Sequence, residues 1–204
     1  VIRAQLDILE VQLHQSARFS LVAESAAGAS KASLMVLIDV AADVVVLNQN
    51  TESWDTGDAW ADGSAPGSGK DYLVTDFVAS SLGVPADLQS TFDGDSLEIL
   101  GAGARLQIQN EFTDNVTIDD LRLSGGVIQF SDGEGSVNLA GALTLRQDSG
   151  IDVRGAFNTL VLDSTVSGPG TLTVTASATS LDEDETLIIN GDNSGFEGGW
   201  NFVG

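Results

Sequence analysis

The feature that most limits what this chain can fold into is a repeat. Between residues 96 and 204, short apolar-x-apolar triplets recur in three interleaved series. The first runs Leu97-x-Ile99, Leu121-x-Leu123, Leu143-x-Leu145 and then Val166, at offsets of 24, 22 and 23. The second runs Leu106-x-Ile108, Ile128-x-Phe130, Ile151-x-Val153 and Leu172-x-Val174, at offsets of 22, 23 and 21. The third runs Val116-x-Ile118, Val137-x-Leu139, Leu160-x-Leu162 and Leu187-x-Ile189, at offsets of 21, 23 and 27; its one long step holds the acidic stretch "SLDEDE". Three short strands per repeat cannot bury their apolar residues alone. They can do so by stacking repeat on repeat, which is the pattern of a three-sided parallel β-helix.

Alternation sets which side chains face inward. In a strand, successive residues point to opposite faces, so the outer two members of each triplet share a face and the middle one opposes them. The outer pair is apolar almost throughout and belongs inside, stacked at about 4.8 Å per rung. Most middle residues are polar: Glu98, Arg122 and Thr144; Gln107, Gln129, Asp152 and Thr173; Thr117 and Asn138. Glu98 and Arg122 fall at equivalent places on successive rungs, so a cross-rung ion pair is expected. Val161 and Ile188 are apolar at middle positions, which suggests a covered outer face near the C-terminus. Glycines support the same register. "LGAGARL", "LSGGVI" and "VSGPGTL" occupy one corner, where a tight turn needs a positive φ. The third rung has "RQDSGI" there instead.

The reading is therefore an all-β chain: a right-handed parallel β-helix of about four three-stranded rungs over residues 96–204. Residues 48–95, rich in Gly and aromatics, are expected to cap its N-terminal end, with Phe77–Leu82 a helical turn or a strand. Residues 1–47 show period-2 alternation and read as extra N-terminal β-strands, the end of a preceding module or a separate strand layer.

Thirty acidic residues against eight basic ones give a net charge of −22. That disfavours nucleic acid and anionic membrane as partners, since both call for clustered Lys and Arg. No apolar run approaches the roughly 20 residues of a membrane span, and no membrane insertion is expected. Without cysteine, neither disulfides nor thiolate metal sites are available. The chain starts at Val and shows no signal peptide, so it is expected to be a piece of something longer.

Three stretches carry a resemblance. They are "WADGSAPGSGKDYLV" followed by "FDGDSLEILGAGARLQI", the rung pattern "IDDLRLSGGVIQF…GSVNLAGALTLRQDSGIDV", and the closing "LIINGDNSGFEGGWNFVG", whose Ser-Gly-Phe-x-Gly turn leads into a Trp strand. Together these make residues 48–204 resemble the β-helical repeat segments of large secreted bacterial surface proteins, of the autotransporter-associated β-strand repeat type. The resemblance implies secretion, an extracellular or cell-surface location, and a surface, fibre or adhesive role. It brings no catalytic residues.

Candidate chemistry is sparse. The only histidine, His14, lies far in sequence from the acidic region and has no evident partner. Asp119, Asp120 and Asp152, with Arg122, Arg146 and Arg154, are the acids and cations a β-helix lyase or glycosidase would draw on, but they do not converge on one face. Asp93 and Asp95, Asp182 and Asp184, and Asp192 in the oxygen-rich turn beside Asn190 and Asn193 are candidate calcium ligands. None has EF-hand spacing, and Asp and Asn favour turns for backbone reasons alone. No cofactor is required, and calcium is the only one suggested. Trp54, Trp60 and Tyr72, with Asp58 and Asp62, are candidate carbohydrate-binding residues. The competing reading makes Trp60 and Tyr72 a plug over the first rung, with Trp54 the more open ring.

The expected function is a non-enzymatic extracellular structural or adhesive module of a bacterial surface protein or fibre. Its partners would be an extracellular polysaccharide or a further copy, stacked end to end. A carbohydrate-binding module of a polysaccharide-degrading protein is the alternative, and a β-helix lyase or glycosidase comes third.

Overall fold

The computed structural model describes residues 21–22, 33–34, 44–51, 53–81, 89–109, 113–131, 135–154, 159–177 and 186–203. The chain divides into two compact units, Val1–Val44 and Val45–Gly204. In the first, β1 (Leu21–Val22) and β2 (Ser33–Leu34) pair antiparallel. The rest of the expected N-terminal strand segment lies outside the described residues.

The second unit is a β-solenoid of about five turns. After β3 (Val44–Val46) and a 3-10 turn at Gly57–Ala59 come β4 (Asp71–Val74), β5 (Val78–Ser81) and β6 (Gln89–Thr91). These three make a turn ahead of the ones the triplets count, and the described part of the segment read as a helical turn or a strand is the strand β5. The next turns are built from β7 (Ser96–Leu100), β8 (Arg105–Gln109), β9 (Thr113–Ser124), β10 (Val127–Ser131), β11 (Ser136–Gln147) and β12 (Ser149–Arg154). Completing the coil are β13 (Thr159–Leu162), β14 (Thr165–Ser167), β15 (Leu172–Ser177), β16 (Thr186–Ile189) and β17 (Trp200–Val203).

The second series forms a six-stranded sheet in the order β17-β15-β12-β10-β8-β5. The other two series share a nine-stranded sheet, β16-β13-β11-β9-β7-β4-β3, with β14 on β11 and β6 on β9. Two series can share one sheet because β9 and β11 each run through a corner. Their register breaks there, with Ile118 opposite Gly141 but Asp120 opposite Ala142, which leaves Asp119 as an extra, exposed residue. Gly141 has φ 110°, and a Cβ on it would lie 1.9 Å from the Ile118 carbonyl oxygen, so only glycine fits this bend.

The core is a set of columns. Tyr72, Leu97, Leu121, Leu143 and Val166 stack in one, and Ala79, Leu106, Ile128 and Ile151 in another. Almost all are fully buried. Each large aliphatic side chain so buried contributes about 1.5–3 kcal/mol relative to exposure. The expected corner also holds: Gly101, Gly125 and Gly168 have φ of 90°, 88° and 101°.

Two registers differ from the triplet alignment. Ile151 pairs with Val174, not Leu172, and Val116 pairs with Leu139, not Val137. Both slips are of two residues. A slip of one would turn a strand inside out, whereas a slip of two keeps every apolar residue inward. Alternation therefore fixes parity, and corner length fixes the rest.

Candidate functional site

The aromatic residues of the loop before β4 are sealed in. Trp54, Trp60 and Tyr72 are each 1% exposed. The reason lies in the backbone. The Trp54 N–H donates to the Ser80 carbonyl of β5 at 2.7 Å, and the Asn48 and Ala61 N–H groups pair with the Ala59 and Val46 carbonyls. This pins the loop across the end of the coil. The rings then meet edge to face: Trp60 on Tyr72 at 4.9 Å, and Phe92 on Tyr72, Trp54 and Trp60 at 5.3, 5.8 and 6.3 Å. Polar edges are satisfied as well, with Trp60 Nε1 donating to the Trp54 carbonyl at 2.7 Å and the Gly67 N–H donating to Tyr72 Oη at 2.9 Å.

Stacking on a sugar needs an open ring face, and none of these three residues offers one. Trp54, expected to be the more open, is as covered as Trp60, because its pairing with β5 turns the ring onto Phe92. Sequence reasoning did not single out Phe92. Its only signal is the neighbouring Gly94, where a Cβ would meet the Phe92 and Tyr72 rings at 2.5 Å.

The acids around this plug point to water. Asp58 and Asp62 are exposed. Partial burial acts to raise the Asp62 pKa. The Lys70 ammonium at 2.7 Å and the Ser64 N–H outweigh it and hold the carboxyl below its usual range. Asp55 is shifted upward, first by desolvation and then by the charge of Asp93.

Among the described residues, the candidate calcium ligands do not assemble. Asp93 and Asp95 are exposed near the plug, and Asp95 is occupied by the Gly69 N–H at 2.8 Å. Asp192 lies in the last turn, where the Ser194 N–H at 2.9 Å lowers its pKa. Its neighbour Asn193 has a shielded Oδ1 without a hydrogen-bond partner. Asp182, Asp184 and His14 lie outside the described residues. Among the described residues, no group of three His, Cys, Asp or Glu side chains could hold a metal.

The most developed polar array is on the outer face of the nine-stranded sheet. Asp71, on β4, accepts from the Ser96 hydroxyl of the next turn. Arg122, one turn further, binds Asp120 and lies 3.9 Å from Asp71. Burial acts against the Arg122 charge, but the Asp120 hydrogen bond and the charges of Asp120, Asp71 and Glu98 more than restore it, raising its pKa. Glu98 and Arg122 do sit side by side in register. The Glu98 carboxylate, however, accepts from Ser124 at 2.6 Å and from Arg146, two turns along, at 3.1 Å. Ser96 and Ser124 are 1% and 3% exposed, so the array is anchored from beneath.

Asp152 and Arg154 form a separate pair at 2.5 Å on the six-stranded sheet. The acids and cations thus lie on two different sheets. Arg122 is held by Asp120 within β9, and its approach to Asp71 of β4 and the Arg146 contact with Glu98 of β7 join turns to one another. No helix among the described residues is long and apolar enough to cross a membrane. Comparison with known proteins finds no matching family model, no matching curated protein and no matching solved structure.

Proposed function

We propose that this chain is a non-enzymatic β-solenoid module, structural or adhesive, of an extracellular bacterial surface protein or fibre. The observation that supports this reading is where the chemically capable side chains are placed. The large aromatics of the N-terminal loop fill the end of the coil, Arg122 beside Asp71 and Arg146 on Glu98 tie turns together, and Asp120 holds Arg122 from the same strand. A coil so stapled suits a structural or display role. The bacterial surface comes from the resemblance of residues 48–204 to surface-protein repeats.

The test pairs two assays on the full chain. A panel of soluble acidic and neutral polysaccharides is incubated with the protein and followed for new reducing ends and for absorbance of unsaturated products. A glycan array is run in parallel. No turnover is expected. Product formation that disappears in Arg122→Ala or Asp120→Asn would overturn the non-enzymatic reading. Glycan binding lost in Asp58→Asn with Asp62→Asn would replace it with a carbohydrate-binding module.

A further inference from the structure

We propose that the outer face formed by the N-terminal halves of β9 and β11 with β13 and β16 is a docking surface for an uncharged polysaccharide chain. The proposal rests on the adhesive side of the reading above and gives it a site. Alternation turns every second residue of these strands outward, between the buried members of the third triplet series. Register then lines the outward residues up across turns. Ser136, Thr159 and Thr186 make one column, and Asn115, Asn138, Val161 and Ile188 the next. Thr186 and Ile188 are exposed and the others half-buried. None of these side chains is charged, in a chain of net charge −22. The other outer faces differ. Asp71, Glu98, Asp120 and Arg122 crowd the rest of the nine-stranded sheet, and Arg105, Asp152 and Arg154 lie on the six-stranded one. Here Asp119 and Asp163 stand at the rim, where β9 bends and β13 ends.

Charge decides what fits such a face. An anionic partner meets the field of a strongly negative chain, and so does a second copy. A cationic partner finds no carboxylate in these columns to pair with. A globular protein partner calls for aromatic or Arg anchors at the centre of its footprint, and the columns hold neither. An uncharged polymer of hydroxyl-bearing rings meets none of these objections. Ser, Thr and Asn side chains both donate and accept hydrogen bonds, as sugar hydroxyls do, and Val161 and Ile188 seat the C–H faces of the rings. The geometry is periodic as well. Turns repeat at about 4.8 Å and outward residues along a strand at about 6.6 Å. A repeating ligand therefore meets like groups at regular steps, so weak contacts add up through linkage. Asn138 has capacity to spare. Its Nδ2 donates to Asn115 Oδ1 at 3.3 Å, but its own Oδ1 has no hydrogen-bond partner, because Val161 follows it in the column. A small turn of the amide brings that acceptor to a ligand hydroxyl.

Depletion of the full chain from solution by insoluble cellulose, chitin and β-mannan tests this, with soluble alginate as an anionic competitor. Binding to at least one of the three is expected, unaffected by alginate. Its Kd should change by less than about 2-fold between roughly 20 and 500 mM NaCl, because no charge carries it. Thr159→Lys and Thr159→Glu should each weaken it at least about 10-fold, since either charge would be pressed unpaired against a neutral ring. Thr173→Lys, on the six-stranded sheet, should leave it unchanged. Thr186→Glu, at an exposed position, repeats the test if the Thr159 variants lose their β circular dichroism. Binding that survives both charges would overturn the face while leaving the adhesive reading in place. Binding to none of the three polymers would overturn the face and leave only a structural role. Binding abolished by alginate or by salt would also overturn it. So would a dimer in sedimentation velocity that Thr159→Lys dissociates, since the occupant would then be a second copy.

Discussion

Replacing Phe92 by alanine tests whether the N-terminal aromatics are a packed plug. Phe92 is 2% exposed and touches three other rings. A buried Phe→Ala change costs about 3–5 kcal/mol through lost transfer energy and the cavity left behind. Edge-to-face contacts are worth about 0.5–1.5 kcal/mol each beyond area. The three here are not independent and overlap the first figure, so about 4 kcal/mol is the reasoned loss. With a urea slope of about 2 kcal/mol/M, the midpoint should fall by about 2 M. Trp54 and Trp60 lie in the plug, so their fluorescence reports its unfolding, and far-UV circular dichroism reports the coil. The comparison is Phe202→Ala, where 63% exposure leaves little burial to lose and a change under about 1 kcal/mol is expected. A loss under about 1 kcal/mol for Phe92→Ala would mean that the rings are not load-bearing in the core.

Other predictions follow from single features. Gly141→Ala should cost about 2 kcal/mol or more in urea unfolding, since positive φ and the Ile118 carbonyl both oppose a Cβ; Gly69→Ala, at φ 84° with open space around it, should cost only the backbone strain, about 1 kcal/mol. Asp62 has a depressed pKa, so its contribution to stability is present above its unfolded value and lost as pH falls through the folded one. In Lys70→Met, an NMR titration should find the Asp62 pKa moved up and this acid-side dependence reduced. Asp55 has the opposite sign: its raised pKa makes its ionised form a cost above the folded value that vanishes on acidification, and Asp93→Asn should lessen it. With a net charge of −22, thermal stability should rise from about 10 to 300 mM NaCl as repulsion is screened. Calcium and magnesium should act alike at equal ionic strength, and a calcium-only gain at micromolar concentration would reveal a defined site.

The sequence made the columns legible because alternation is a local property. Leu97, Leu121 and Leu143 needed no knowledge of the corners to be placed in one line. The pairing of Ile151 with Val174 was not legible, because it depends on corner length, which alternation leaves free by any even number. Nor was the burial of Trp54. That follows from its backbone pairing with Ser80, a contact between a loop and a strand not expected to belong to the coil. For Glu98 and Arg122, adjacency was readable but partnership was not. Long side chains on a sheet reach diagonal neighbours as easily as direct ones, and Ser124 and Arg146 take the two oxygens of the Glu98 carboxylate.

The two-residue slips have a consequence for how such a chain tolerates change. Inside and outside are assigned by odd and even position, so each strand carries a parity check. Deleting Val127, at the start of β10, would send Ile128 and Phe130 outward and Gln129 inward, an error felt along the rest of the strand. Deleting two at a corner passes the check, and so does removing a complete turn. Corners are more permissive still and absorb single residues, as Asp119 does between β9 and β11, so parity binds the strands rather than the turns between them. Frame-preserving changes of odd size within its strands are the ones it cannot absorb.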